Sequence, residues 1–415
     1  MINFVYQCST CGKRYKRDAV QYLCPTCSKA YRPGMPLVGV LTVQFEYAEI
    51  RRRFDKAEPD WTLFSAVEPE FFPPYGAAAT PFFRSNGLGR LFGVETVWIK
   101  NDGLNPSASL KDRASFLVVA EANRLGEGRI VTASTGNAAS ALAAVCAAAQ
   151  KQAVIFVPEK APKAKLAQMV LYGATVVPIK GTYDDAFRLS LEYTIHRGGL
   201  NRNTAYHPLT IEGKKTVGFE IFQQNGFQVP DVIIVPVGDG VIISGVYKAF
   251  YDLKAAGLTD KMPRLVCAQA IGSSAIHDYI HTDKYENAKN VSTIADSISV
   301  SIPSNAHMAR KAVLDTGGFS LAVSDEEILA AQKDLAATAG VFAEPAAATP
   351  AAVLKKAVGQ GLIKSLDQVV LLVTGHGLKD VDAAMRNLKV PAAVEPKLAA
   401  VDATLEKRKE RACRG

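Results

Sequence analysis

At 415 residues the chain exceeds what a single core usually supports, so two or three domains are expected. Hydrophobic residues make up 48% and charged residues 21%, an ordinary globular balance that excludes global disorder. The formal net charge of +8 is mild for this length. Much of it sits in Arg51-Arg52-Arg53 and in Lys407, Arg408, Lys409 and Arg411, runs that read as solvated helix faces rather than a nucleic-acid surface.

The N-terminus opens Met1-Ile2-Asn3-Phe4-Val5-Tyr6 and then meets cysteines, without the basic and apolar regions of a signal peptide. No apolar run reaches the roughly 18 residues of a membrane span. Seven cysteines without a regular framework argue for a reducing compartment, so a cytoplasmic protein is expected.

The first module is Cys8-x-x-Cys11 followed by Cys24-x-x-Cys27. Two such knuckles aim four thiolates at one tetrahedral ion, so structural zinc is expected, with no open position for catalysis. Removal of residues 1–38 is therefore expected to leave cofactor binding largely unaffected. From Thr42 to Pro59, the helical spacing of Val43, Tyr47, Ile50 and Phe54 predicts a connecting helix. Pro73-Pro74-Tyr75-Gly76 is a loop.

From about residue 94, apolar strands alternate with helices. Strands are expected at Val94–Ile99, Arg129–Ala133, Ala153–Val157, Thr175–Ile179, Val232–Val237, Leu265–Ala270 and Gln368–Val373. Between them fall helices at Ser109–Leu125, Asn137–Gln150, Lys163–Leu171, Asp184–His196, Glu212–Gln224, Ser244–Ala256, Asp325–Ala339 and Ala346–Val358. The alternation predicts an α/β chain with parallel sheets covered on both faces. After Leu388 the Ala-, Lys- and Glu-rich tail suits either a docked helix or a frayed end.

Three loop-to-helix turns carry candidate chemistry. In Asn105–Arg113 a loop of small residues delivers Lys111 to a helix N-terminus, whose positive end favours a neutral amine and Schiff-base chemistry. A solvated lysine beside Asp112 fits equally well. Ala133-Ser134-Thr135-Gly136-Asn137 lies where open α/β sheets bind ligands, and can hold a carboxylate or phosphate. A plain N-cap at Ser134 or Asn137 also explains it. Val237-Gly238-Asp239-Gly240-Val241-Ile242-Ile243-Ser244-Gly245 offers glycines for close approach to an oxyanion. The competing dinucleotide reading has Ile243 where its third glycine belongs.

Taken in order, these segments resemble the threonine synthase branch of the fold type II pyridoxal-phosphate enzymes. The resemblance starts at Thr80-Pro81 and runs through Lys100-Asn101-Asp102, Tyr183–Arg188 and Ile211–Thr216 to Thr374-Gly375-His376-Gly377-Leu378-Lys379-Asp380. It implies two three-layer α/β/α domains of the tryptophan synthase β-like kind, preceded by a zinc ribbon. The implied layout is a ribbon over 1–38, a connecting segment over 39–79, a large cofactor domain over 80–125 and 212–388, a small substrate-side domain over 126–211, and a tail from 389. A homodimer is also expected.

The resemblance also implies roles. Lys111 would hold pyridoxal 5'-phosphate as a Schiff base and move protons. Asn137 would bond the cofactor's ring oxygen, Gly238, Asp239, Gly240, Val241 and Ile242 would hold its phosphate, and Thr374 would face its pyridine nitrogen. Ser134 and Thr135 would grip the substrate carboxylate, and Arg188, aided by His207, the substrate phosphate. The implied reaction converts O-phosphohomoserine and water to threonine and phosphate. Another fold type II lyase or a β-replacing synthase is the alternative; a non-catalytic binding protein would not need this set.

Departures from the family pattern bear on the substrate. Ala108 replaces a usual Gly, Leu110 a usual Phe, and Asp239 a usual Asn; His207-Pro208-Leu209-Thr210 lacks a usual Arg. A carboxylate beside a phosphate dianion is unfavourable unless it turns away or is paired. His207, if charged, would supply the missing positive group; packing in the turn before Pro208 explains it equally well.

Overall fold

The computed structural model describes residues 2–159, 163–386, 388 and 390–413. The side chains of residues 407–413 lie outside this description, and with them the basic cluster of the tail.

Strands β1 (Phe4–Cys8) and β2 (Arg14–Lys16) form the ribbon hairpin, and β3 (Leu41–Phe45) adds an antiparallel third strand beside β1. Here the structure corrects the expected helix over Thr42–Pro59. Leu41, Val43 and Phe45 alternate inward at period two, and only α1 (Tyr47–Arg53) is helical. The helical spacing of Val43 and Tyr47 spans a strand-to-helix junction. Arg51, Arg52 and Arg53 are all exposed, as a solvated face requires.

The main body begins with β4 (Phe82–Arg84), α2 (Asn86–Phe92), β5 (Thr96–Asn101) and α3 (Lys111–Arg124). The chain then builds a four-stranded parallel sheet from β6 (Arg129–Ala133), β7 (Gln152–Pro158), β8 (Thr175–Ile179) and β9 (Leu200–Asn201), in the order β8-β7-β6-β9. Its helices are α4 (Asn137–Ala148), α5 (Lys163–Leu171) and α6 (Tyr183–Arg197). Thr182 caps α6 in a capping box with Asp185, which fixes where that helix starts.

After α7 (Leu209–Gln224) the chain returns to the first sheet through β10 (Val232–Pro236), α8 (Val241–Ala255) and β11 (Arg264–Ala270). Next come α9 (Ala275–Thr282), α10 (Ala306–Asp315), β12 (Phe319–Val323), α11 (Asp325–Ala339), α12 (Pro345–Gly359) and β13 (Gln368–Val373). This sheet runs β12-β11-β10-β13-β5-β4, parallel except for the edge pair β4–β5. Every residue of β10 is buried, as expected for an apolar strand covered on both faces. Short α13 (Val381–Met385) precedes a terminal helix α14 (Leu398–Cys413), whose Leu398 and Leu405 remain exposed.

The ribbon is not a separate bead. Tyr6, Cys8, Cys24, Val43 and Phe45 belong to the same apolar cluster as Val118 of α3, Phe222 of α7 and Val246 of α8. Among the described residues, no helix is long and apolar enough to cross a membrane.

Candidate active site

Lys111 opens α3, and its approach loop is stitched to the turn after β13. Ser109 bridges to Gly375, the Leu110 N–H donates to the Thr374 carbonyl at 2.9 Å, and the His376 N–H donates to the Ala108 carbonyl at 3.1 Å. These bonds bring Lys111 and Thr374 into one cleft of about 460 Å³. Asp112 does not pair with Lys111. Its carboxylate accepts from the Ser107 N–H at 2.8 Å, from the Ser107 hydroxyl, and from the Tyr75 hydroxyl at 3.0 Å. Burial pushes the Lys111 amine below its ordinary pKa; Glu344 opposes this and Arg202 adds to it.

Ala108 stands at φ +64°, the left-handed region that suits glycine. The methyl group there costs about 1–2 kcal/mol, against about 0.5–1 kcal/mol of extra chain entropy for glycine. Ala108→Gly is therefore expected to stabilise the chain slightly, by about 0.5–1 kcal/mol, read as a raised urea midpoint.

The same cleft is lined by Ser134, Thr135 and Asn137 from the end of β6, and by residues 238–242 from the end of β10. It thus lies beyond the carboxyl ends of the strands, as in other open α/β sheets. Asn137 opens α4, and its amide donates to both Glu344 oxygens, at 2.9 and 3.1 Å, and to Ser297 Oγ at 3.2 Å. The 238–242 turn opens α8, whose first N–H groups have no intrahelical acceptor. Asp239 is turned to Ser304, accepting from its N–H at 3.2 Å and its hydroxyl at 3.0 Å. That disposes of the carboxylate the sequence left awkward. Thr135, Gly136 and Asn137 also border a wider opening of about 650 Å³, where Lys379 and Arg386 sit. Burial lowers the Lys379 pKa to about 8.

Two expected substrate residues are not brought into the cleft. Arg188 is 56% exposed, pairs with Glu192 at 2.7 Å and Asp185 at 3.8 Å, and borders a neighbouring cavity with Tyr31 and Asp239. His207 is 1% exposed and lines none of these openings. Its Nδ1 accepts from the Leu209 N–H at 3.2 Å, and its ring meets Tyr22 of the ribbon edge-on at 5.6 Å. Burial and then Arg202 lower its pKa to about 3, the reverse of the charged imidazole the sequence suggested. His207 is thus packed beneath Tyr22, with its buried Nε2 unpaired among the described residues.

Sequence reasoning missed Lys214 and Glu344. Lys214 lines the cleft, and Glu344 lies at its edge, against Gly375, where an added Cβ would meet Oε1 at 2.3 Å. The Lys-Lys pair at 214–215 offered one signal, since only Lys215 is absorbed by buried carboxylates, Glu212 and Asp252.

In the ribbon the sulfurs of Cys8, Cys11, Cys24 and Cys27 lie within 4.8 Å of one another, with Cys11 and Cys24 at 3.9 Å. Tetrahedral zinc–sulfur bonds of about 2.3 Å put the sulfurs about 3.8 Å apart, so the four fit one ion.

A family model described as "Pyridoxal-phosphate dependent enzyme" matches residues 74–375. The chain is 36% identical to a threonine synthase of Methanocaldococcus jannaschii, over 94% of this chain and 96% of the relative. It is 37% identical to a threonine synthase of Halalkalibacterium halodurans, over 77% and 88%. Among solved structures, threonine deaminase isoform 2 from Solanum lycopersicum superposes with a TM-score of 0.66 at 22% identity, covering 78% of this chain and 91% of that one.

Proposed function

Because the chain belongs to the pyridoxal-phosphate dependent enzymes, in their threonine synthase branch, we propose that it converts O-phosphohomoserine and water to threonine and phosphate. The observation that carries the reading is the convergence of Lys111, Ser134, Asn137, the 238–242 turn and Thr374, from distant parts of the chain, on one cleft. The donor set suits a phosphate ester with an aldehyde, since it combines an amine with free helix N–H groups.

When bound, pyridoxal phosphate supplies an electron sink for bonds at the substrate's Cα and Cβ. The protein supplies the rest. Lys111 would hold the cofactor and move protons, favoured by an amine already pushed toward neutrality. The 238–242 turn would hold the phosphate, Thr374 would offer a hydroxyl to the ring nitrogen, and Asn137 would offer its amide to the ring oxygen. Ser134 and Thr135, beside the opening, take the substrate carboxylate. We assign 80–125 with 212–388 to a cofactor domain and 126–211 to a substrate-side domain, a division supported by the two sheets. A cytoplasmic homodimer completes the reading.

The deciding experiment supplies O-phosphohomoserine and measures threonine and phosphate together; equal release of both is expected. A second reading, elimination or β-replacement on another amino acid, is favoured by one observation. Arg188 is already paired and His207 is buried, so the expected grip on a substrate phosphate is not assembled. Phosphate released without threonine, or neither product, would put that reading first.

We also propose one zinc per chain at Cys8, Cys11, Cys24 and Cys27, testable by elemental analysis. The expectation that removing residues 1–38 leaves cofactor binding largely unaffected is revised. The Leu37 N–H donates to the Ser304 carbonyl at 3.0 Å, and Ser304 holds Asp239. Asn287 donates to the Gly34 carbonyl at 2.7 Å, and the Asn201 N–H to the Tyr22 hydroxyl at 3.0 Å. Chelating the metal is therefore expected to lower the melting temperature and weaken cofactor retention together. Retention unchanged after complete zinc removal would restore the view of a separable ribbon.

A further inference from the structure

Lys214 is a buried amine without a partner among the described residues. It is 3% exposed and lines the same cleft as Lys111 and the 238–242 turn. Among the described residues it makes no ion pair, and its side chain makes no hydrogen bond. Its neighbours on α7 show the contrast. Lys215 is enclosed by Glu212 and by Asp252 at 2.9 Å, so one lysine of the pair is compensated and the other is not.

The charge balance around Lys214 is also unusual. Arg202 is fully buried, and among the described residues its guanidinium reaches only the Ser115 hydroxyl at 3.2 Å and the Thr204 hydroxyl at 3.3 Å. One of its nitrogens has no acceptor. Both Arg202 and Lys111 act on Lys214 with repulsion, and burial acts in the same direction, holding it well below the usual lysine range. Asp239 is the opposing charge, and it is occupied by Ser304. A buried cation left in this condition is costly unless an anion completes the site.

The position of Lys214 selects the anion. Helices α7 and α8 are in close contact here: a Cβ added at Gly245, in the second turn of α8, would lie 3.0 Å from Lys214 Cβ. Lys214 therefore projects beside the N-terminus of α8, where the helix dipole and the free N–H groups of the 238–242 turn already favour negative charge. We propose that Lys214 is a direct ion-pair partner of the pyridoxal phosphate's phosphate group, joining the backbone turn with a charge that N–H groups alone do not supply. The proposal rests on the reading of this cleft as the cofactor site.

The test uses full-length apoenzyme titrated with pyridoxal phosphate and, separately, with pyridoxal, which carries the same aldehyde without the phosphate. The visible absorption of the lysine-bound cofactor reports binding. A charge-assisted contact predicts that Lys214→Gln weakens pyridoxal phosphate about ten- to hundredfold and leaves pyridoxal unchanged. Lys214→Arg should recover most of the loss. Inorganic phosphate should raise the melting temperature of wild-type apoenzyme and not that of Lys214→Gln. An unchanged ratio of the two affinities overturns the proposal, whether both stay tight or both weaken through a folding defect. An unchanged ratio with a raised KM for the phosphorylated substrate reassigns Lys214 to the substrate. Wild-type apoenzyme that develops no absorption with either aldehyde overturns the cofactor reading itself.

Discussion

Lys111→Ala is expected to lower turnover by about 10³–10⁴-fold or more, since it removes both the covalent anchor and a positioned proton carrier. The fold should survive. Lys111 is the first residue of α3, only partly buried, and its side chain forms no ion pair among the described residues, so its loss leaves no buried partner exposed. The approach loop is held by backbone bonds to Thr374 and His376, which alanine keeps. The variant should therefore show wild-type urea unfolding, no visible absorption on adding pyridoxal phosphate, and no threonine formation. Borohydride reduction of the loaded wild type, followed by peptide mapping, should place the label on Lys111 and not on Lys214, the other amine of the cleft. A label on Lys214, or retained turnover in Lys111→Ala, would refute the assignment.

The parts of the cleft that sequence reasoning located share one property. Each lies within a single loop-to-helix turn, where local residue types predict the backbone and the backbone predicts what it offers. Lys111, Ser134, Asn137 and Gly238 were legible this way, and each lines the cleft or opens a helix beside it. Lys214 was not, because it lies one turn inside a helix, and nothing in Glu212-Gly213-Lys214-Lys215 says which lysine faces the cleft. Only the packing of α7 on α8 separates the two. The placement of Arg188 and His207 is illegible for a related reason: charge and sequence neighbourhood suggest a phosphate grip, whereas tertiary packing decides that Arg188 stands exposed beside the neighbouring cavity and His207 lies buried against Tyr22. In the fold, the long apolar strands β6, β7, β10, β11 and β13 were legible from their run of Val, Ile and Leu. Short β4 and β9, three and two residues long, carry no such pattern and exist through pairing with β5 and β6.

Several residues of the motifs that carry the family resemblance form a buried ion network. The Arg113 Nε donates to Asp102 at 2.6 Å, and its Nη1 to Glu220 at 2.5 Å, with all three in reach of Thr80 or Lys100. Lys100 donates to Glu220 at 2.5 Å, to Gln224 at 2.7 Å and to the Thr80 carbonyl at 2.7 Å. The network ties β5, α3 and α7 together directly behind the Lys111 loop. The side chains of Arg113 and Asp102 are fully inaccessible. Asp102→Ala leaves that guanidinium short of one of its two carboxylates, and breaking a buried pair costs about 3–5 kcal/mol. Glu220 remains to Arg113, so the expected loss is toward the low end, about 3 kcal/mol, read as a lowered urea midpoint. Trp98 on β5, stacked on Phe82 at 4.7 Å, gives a fluorescence signal close to the lesion.

The pH dependence of the same network gives a second, independent reading. Burial alone would raise the Glu220 carboxyl, but Arg113 and then Lys100 outweigh it and hold it at about 2. In the unfolded chain a glutamate titrates near 4.3. A group depressed on folding contributes stability that is complete above the unfolded value and is lost as pH falls toward the folded one. Wild type should therefore shed this contribution between about pH 4.5 and 2, where the unfolded chain binds the proton first. Glu220→Gln carries no such ionisation, so its deficit relative to wild type should be largest above pH 5 and shrink across that window. A deficit independent of pH would mean that Glu220 holds Arg113 by shape and hydrogen bonding alone. An Asp102→Ala chain as stable as wild type would mean that Arg113 finds water where the structure places a dry carboxylate.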